Sequence, residues 1–165
     1  MARPNPIRSL MQADLPSLTY QRKKLFRPNP ADVVYAYNII NRHVFHNQLV
    51  RPEIRIGRIN KAWGVCRWHD REQYTGSSCD LILSDKWFCQ QWFINTLAHE
   101  MVHQYQWDVY RWDYQEYFGR DIHQNSGGHG PSFFMWREEF DYYGLNLKSW
   151  FRMKKWFKYQ NFSKC

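Results

Sequence analysis

The segment from His99 to His103 reads His-Glu-Met-Val-His, and its residue types and spacing could do chemistry. Positions four apart lie nearly one above the other on an α-helix, so His99 and His103 can direct one imidazole nitrogen each at a common point. Zn²⁺ binds imidazole nitrogen at about 2.0–2.1 Å, which ligands on adjacent turns can reach. Glu100 lies on the same edge, where it could take a proton from a metal-bound water. The pattern predicts two metal ligands and a catalytic base.

A hydrolytic zinc site needs a third protein ligand and one open position for water. His129 lies between glycines and just before Pro131, so a helix that begins at Pro131 would hold the imidazole at a fixed point. We favour His129 as the third ligand of one Zn²⁺ per chain. The alternatives are His123, Glu138 and Glu139.

The elements that must position these residues follow from hydrophobic periodicity. Apolar residues recurring at three and four positions predict a helix from about Asp32 to Asn47. A second helix should carry the histidines and end near Trp107 or Asp108, and a third should run from Pro131 to a stop at Gly144. Three segments have the alternation typical of strands, namely Glu53–Ile59, Ala62–Trp68 and Cys79–Ser84.

The chain has 165 residues and a net charge of +8, which is unevenly spread. Residues 1–30 carry six basic and one acidic side chain, residues 145–165 carry six basic and none acidic, and the middle is slightly acidic. We therefore predict a basic, proline-containing and irregular arm over residues 1–30, one core domain over residues 31–145, and a basic aromatic tail over residues 146–165.

The tail interleaves basic and aromatic residues, and one of three interpretations is contact with nucleic acid, either single-stranded or double-stranded DNA. Basic side chains can neutralise phosphates while rings stack on unpaired bases. The alternatives are a final helix docked on the core with its lysines in water, or a basic helix on a membrane surface. The candidate nucleic-acid-binding residues are Lys148, Arg152, Lys154, Lys155, Trp156 and Lys158.

The mean hydropathy of −0.75 and the lack of a long apolar run argue against a membrane protein. No apolar segment follows the first positive charge, so a secretory signal is not expected. We expect a cytoplasmic location, which for a viral protein means the host cytoplasm. The four cysteines are then expected to be reduced, with Cys66 and Cys79 as two facing thiols.

Two segments in combination resemble the SprT-like family of zinc metallopeptidases, with its Spartan-like protease core. They are residues 96–103, Thr-Leu-Ala-His-Glu-Met-Val-His, and residues 128–133, Gly-His-Gly-Pro-Ser-Phe. The resemblance covers about residues 31–145. It implies metal ligands at His99, His103 and His129 and a general base at Glu100. It also implies an α+β, zincin-like fold with helices packed on a small antiparallel sheet of about three strands.

These observations favour a zinc-dependent endopeptidase that hydrolyses peptide bonds of protein substrates, with substrates near nucleic acid as a further expectation. The alternative is a non-catalytic, zinc-containing nucleic-acid-binding or structural protein. Glu100 favours catalysis, because a closed structural zinc site has no use for a carboxylate beside the open position. Two features of these 165 residues depart from the family: they contain no cysteine cluster like the zinc ribbon of many members, and the stretch between His103 and His129 is long.

Overall fold

The computed structural model describes residues 5–12, 26–69, 76–87, 89–110 and 128–149. Helices and a small sheet are both present, which confirms the α+β class. The elements in chain order are α1 (Pro6–Gln12), α2 (Pro30–His43), β1 (Glu53–Gly57), β2 (Gly64–Trp68), β3 (Cys79–Ser84), α3 (Gln90–Tyr105), a π-helical segment (Gln106–Tyr110), α4 (Pro131–Phe134) and α5 (Arg137–Tyr143).

The three strands form a mixed sheet in the order β1-β3-β2. Strand β2 is antiparallel to β3, with Cys66 opposite Leu81, whereas β1 is parallel to β3, with Ile54 opposite Leu81. The prediction of three strands is confirmed, but the expectation of an entirely antiparallel sheet is wrong for β1. The chain reverses direction after β1 and again after β2, so β3, lying between them, runs in the direction of β1.

Helix α3 is the central element, because 14 of its 16 residues are buried. Its large apolar side chains, among them Trp92, Leu97 and Met101, are fully enclosed by the surrounding elements. A helix covered on nearly every side belongs in the middle of a core. Its polar residues therefore need partners: its two histidines and Glu100 line an internal cleft, whereas Gln90 and Gln104 bond to neighbouring elements. No helix within the described residues is long and apolar enough to cross a membrane.

Helix α2 begins as predicted but ends earlier. The Asn29 side chain accepts from the Asp32 amide, and the Asp32 carboxylate accepts from the Asn29 amide, which forms a capping box. The helix stops at His43, because His46 and Asn47 have φ values of 54° and 59°. The left-handed region is incompatible with a continuing α-helix, so the predicted end at Asn47 is four residues too late.

The basic N-terminal arm is partly ordered against the core. Residues Pro6–Gln12 form a helix whose Ile7 is buried, and Gln90 at the start of α3 donates a hydrogen bond to the Leu10 carbonyl at 2.8 Å. Phe26 also pairs with Trp87 through two main-chain hydrogen bonds. The expectation of an irregular arm is therefore wrong for Pro6–Gln12, while the domain boundary at residue 30 stays a prediction.

A partly buried polar network joins the C-terminal end of α3 and the π-helical segment to the start of β3. The Asp108 carboxylate accepts hydrogen bonds from Ser77 Oγ at 2.7 Å, from the Ser78 amide at 2.8 Å and from Gln104 Nε2 at 2.9 Å. Tyr37 on α2 donates its hydroxyl to Gln104 Oε1 at 3.0 Å. The helix continues past Tyr105 as the π-helical segment. Its hydrogen bonds hold three parts of the chain together, namely α2, the residues just before β3 and the end of α3.

The last helical region is broken where one helix was predicted. Pro131 begins α4 at the expected position, but the backbone turns at Met135 and Trp136 before α5. Gly144 adopts φ 76° and ends α5 as predicted.

The cysteines only partly match the expectation of reduced thiols. Cys66 and Cys79 are free, and hydrogen bonding to Cys79 together with burial raises the pKa of Cys66. Cys89, in contrast, takes part in a disulfide bond.

Candidate metal centre

Three histidines from two parts of the chain meet at one point. His99 and His103 lie one turn apart on α3, and His129 lies just before α4. His129 Nε2 is 3.1 Å from His99 Nε2 and 3.2 Å from His103 Nε2. The structure therefore brings together all three residues that were predicted as metal ligands.

The second nitrogen of two of these rings identifies their tautomer. His99 Nδ1 lies 2.9 Å from the main-chain carbonyl oxygen of Lys148, and His103 Nδ1 lies 2.8 Å from Gln106 Oε1. A carbonyl oxygen only accepts, so each Nδ1 carries the proton and each Nε2 is left with a lone pair. Both lone pairs point at the same space.

A cation fits this arrangement better than hydrogen bonds do. If His129 Nε2 carried a proton, it could donate it to only one of the two neighbouring Nε2 atoms. Its close contact with the other Nε2 atom would then be repulsive. Three nitrogens at about 2.0–2.1 Å from a tetrahedral zinc would be roughly 3.3–3.4 Å apart, close to the spacing seen. The three histidines are also the group of possible metal ligands found among the described residues.

The surroundings keep the imidazoles of His99 and His103 neutral, which is the form that binds metal. Burial, reinforced by the neighbouring His103 and His129, lowers the pKa of His99 well below its ordinary value. Burial also lowers the pKa of His103 to about 4, against a smaller opposing effect of the hydrogen bond to Gln106.

Phe133 forms the apolar base of the centre. Its ring centroid lies 4.8 Å from that of His99, 5.0 Å from that of His103 and 4.7 Å from that of His129, and the side chain is fully buried. Helix α4, which begins at Pro131, positions this ring. An apolar surface against all three imidazoles limits their rotation and excludes water from that side.

Glu100 lies beside the histidines and is held by strand β2. Burial raises the pKa of its carboxyl to about 8, and a hydrogen bond from the Cys66 main-chain amide acts in the opposite direction. A bound divalent cation nearby would favour the ionised carboxylate. The close approach of β2 depends on Gly64, because a Cβ there would lie 2.7 Å from Glu100 Cγ.

The three histidines and Glu100 all line one cavity of about 660 Å³. Strand β2 and the preceding loop form one wall, α3 forms the floor, and Gly128 and Ser149 contribute to the far side. This volume is much larger than a single ion needs and falls in the range of ligand clefts. The centre is therefore accessible to a molecule considerably larger than water.

Gln106 connects two of the predicted ligands and was not identified from the sequence. Besides accepting from His103, it donates through Nε2 to the Gly128 carbonyl at 2.8 Å and to Ser132 Oγ at 2.8 Å. One amide thus orients His103 on α3 and fixes both ends of the turn that carries His129. Its position three residues after His103, on the same helix face, is the one signal that could have indicated it.

Only some of the remaining candidate residues lie within the described part of the chain. Glu138 and Glu139 lie in the first turn of α5 and do not join the three histidines. Lys148 contributes its main-chain carbonyl to the centre. The other candidates lie outside the described residues, namely His123, Arg152, Lys154, Lys155, Trp156 and Lys158.

We expect Gly64→Ala to destabilise the protein by about 1–3 kcal/mol, because the new methyl group would overlap Glu100 and force β2 or the carboxylate to move. Urea unfolding measures the change. Gly57→Ala on β1 is the matched control, since a Cβ there meets nothing within 4 Å. Equal stability of the two variants would contradict the close approach.

We expect Gln106→Met to lower zinc affinity about 10–100-fold, because His103 and the His129 turn both lose their orienting partner. Competition with a chromophoric chelator measures the affinity. Gln104→Met is the control, since Gln104 is an equally buried amide on the same helix that bonds to Tyr37 and Val50 instead. A similar loss of affinity in both variants would show a general effect of destabilisation.

Comparison with known proteins agrees with this geometry. Residues 35–149 match the model of the SprT-like family, a span that contains α3, the three histidines and Glu100. A comparison with curated proteins finds no match. On the family match, which covers most of the chain, this protein belongs to the SprT-like family.

Proposed function

We propose that this protein is a zinc-dependent endopeptidase of SprT-like type. The observation that carries the proposal is the convergence of three imidazole nitrogens beside a buried carboxylate in an accessible cavity, with His129 Nε2 3.1 Å from His99 Nε2 and 3.2 Å from His103 Nε2. Three histidines leave the fourth position of a tetrahedral zinc open, which is the arrangement of catalytic rather than closed structural sites.

The metal would be held by Nε2 of His99, His103 and His129. When bound, zinc supplies a Lewis acid that polarises a carbonyl and lowers the pKa of a bound water toward roughly 7. Imidazole ligands also suit copper, iron and nickel, so the choice of zinc rests on the tetrahedral spacing and on the family.

Glu100 is the proposed general base. Its carboxylate takes a proton from the attacking water and then donates it to the departing amine, a contribution of typically 10²–10⁴-fold. The Cys66 amide holds the carboxylate in place, and burial raises its proton affinity, so it can accept and return a proton near neutral pH. The protein therefore has a group suited to both proton transfers.

An extended polypeptide is the substrate that the cavity wall favours. Within the described residues, β2 pairs with β3 on one side only. An edge strand offers main-chain groups with which a peptide can pair. Residues of β2 also line the cavity next to Glu100, so a peptide laid along this strand would pass over the histidines.

The charge distribution supports nucleic acid as a second partner. The chain carries a net charge of +8, concentrated at its two ends. Its C-terminal basic segment begins at Lys148, whose main-chain carbonyl contacts His99. We propose that substrates are proteins associated with DNA, because a basic segment beginning at the centre would keep a polyanion close to the cleft.

We expect Glu100→Gln to retain zinc and to lose at least about 100-fold in proteolytic rate, because the amide cannot accept the water proton. Cleavage of an unfolded protein such as casein, with and without DNA, measures the activity. Full activity in this variant would exclude Glu100 as the base. No cleavage by the zinc-loaded wild type under either condition would favour the non-catalytic alternative.

We expect about one zinc per wild-type chain and a large loss of zinc in His129→Ala, because a two-histidine site binds the ion weakly. Elemental analysis after gel filtration measures the stoichiometry. His43→Ala on α2 serves as a histidine control outside the cluster. Normal zinc content in His129→Ala would place the third ligand elsewhere.

A further inference from the structure

The cleft has two distinct ends, because β2 and α3 run side by side along it. At one end, Gly64 lies against Thr96 and Glu100. At the other end, Trp68 stacks on Trp107, with ring centroids 5.3 Å apart and an interplanar angle of 27°. Gly64 and Trp68 are four positions apart on the strand, a distance of about 13 Å. The histidine cluster lies between them along α3.

The first end carries a cation at the cavity wall. Lys61 lies three residues before Gly64, lines the cavity and is exposed. Its φ of 65° is in the left-handed region, which costs a non-glycine residue about 1 kcal/mol or more and is often found at functional sites. Among the described residues it forms no ion pair, since the salt bridges there involve Arg27, Arg55 and His69.

Among the described residues that line the cavity, no exposed acidic group balances the charge of Lys61. Glu100 is the one acidic residue among them, and that carboxylate is buried at the floor. A low-dielectric cleft strengthens the field of such a cation. This end of the cleft therefore favours a negatively charged group.

The second end is aromatic. Trp107 lines the cavity, and its stacking partner Trp68 has 45% of its surface exposed. An exposed indole next to a cleft offers a large apolar surface that a ligand can cover. The stack fixes the orientation of Trp68 in advance, so little conformational freedom would be lost when a ligand binds.

We propose that the cleft selects polypeptides with an acidic side chain at the Lys61 end and a large apolar side chain at the Trp68–Trp107 end, on opposite sides of the cleaved bond. The proposal rests on the proposed function. A nucleic acid could also use a cation and an exposed ring, but the two ends flank the histidines and Glu100, where a peptide bond would have to lie.

The test is a cleavage-site profile of the zinc-loaded, full-length protein on a peptide library, read by mass spectrometry. We expect wild-type sites to be enriched in Asp or Glu on one side and in large apolar residues on the other. Lys61→Glu should shift the first preference toward Lys or Arg by about 2- to 5-fold in kcat/KM, the effect of an exposed ion pair. Trp68→Ala should reduce the second preference about 10-fold.

Two control variants lie away from the cavity. Lys86→Glu changes the charge of an exposed lysine between β3 and α3, and Tyr142→Ala removes an exposed ring on α5. Both should keep the wild-type profile.

The outcomes separate the two proposals. If the wild type cleaves but the profile is the same in Lys61→Glu and Trp68→Ala, the selectivity proposal is wrong and the proteolytic function stands. If Trp68→Ala weakens binding of a fluorescent oligonucleotide and leaves the profile unchanged, the aromatic end belongs to nucleic acid and the proposal is also wrong. If the wild type cleaves no peptide either with or without DNA, the proposed function itself fails.

Discussion

The rest of the structure depends on the burial of polar groups within a nearly enclosed helix. A buried polar atom without a partner is strongly destabilising, so every such atom in the His-Glu-x-x-His segment constrains another part of the chain. His99 requires the carbonyl of Lys148, His103 requires Gln106, and Glu100 requires the amide of Cys66. The three partners come from the chain after α5, from the π-helical segment and from β2. The arrangement of elements around α3 can thus be understood as the set of partners that this segment needs.

The change from α- to π-helical geometry separates two amide side chains with different tasks. Gln104, just before the change, faces the Tyr37 and Asp108 network that joins α2, β3 and α3. Gln106, at the first π-helical residue, faces the histidines. π-Helical turns are often found at functional sites. Here Gln104 and Gln106, two residues apart, contact the structural core and the histidine cluster respectively and share no hydrogen-bond partner.

Much of the fold and of the centre could be predicted because the signals are local. The two histidines four residues apart, the alternation in Cys79–Ser84 and the stop at Gly144 each depend on residues close in the chain. What was wrong or missed depends on distant contacts. Strand β1 is parallel to β3 because β3 takes the central place in the sheet. Helix α1 forms because Ile7 is buried against the core. The Lys148 carbonyl lies 49 residues from His99, and a main-chain atom leaves no trace in residue type.

The contact between His99 and the Lys148 carbonyl also affects how the sequence can vary. Any residue type supplies that oxygen, so substitutions at position 148 preserve the tautomer of His99 as long as the backbone keeps its path. Position 106 is different, because an amide side chain both accepts from a histidine and donates to a carbonyl. Over evolutionary time, the side chain at position 148 can change in charge and adapt to new surfaces or partners. Such changes leave the tautomer of His99 unaffected.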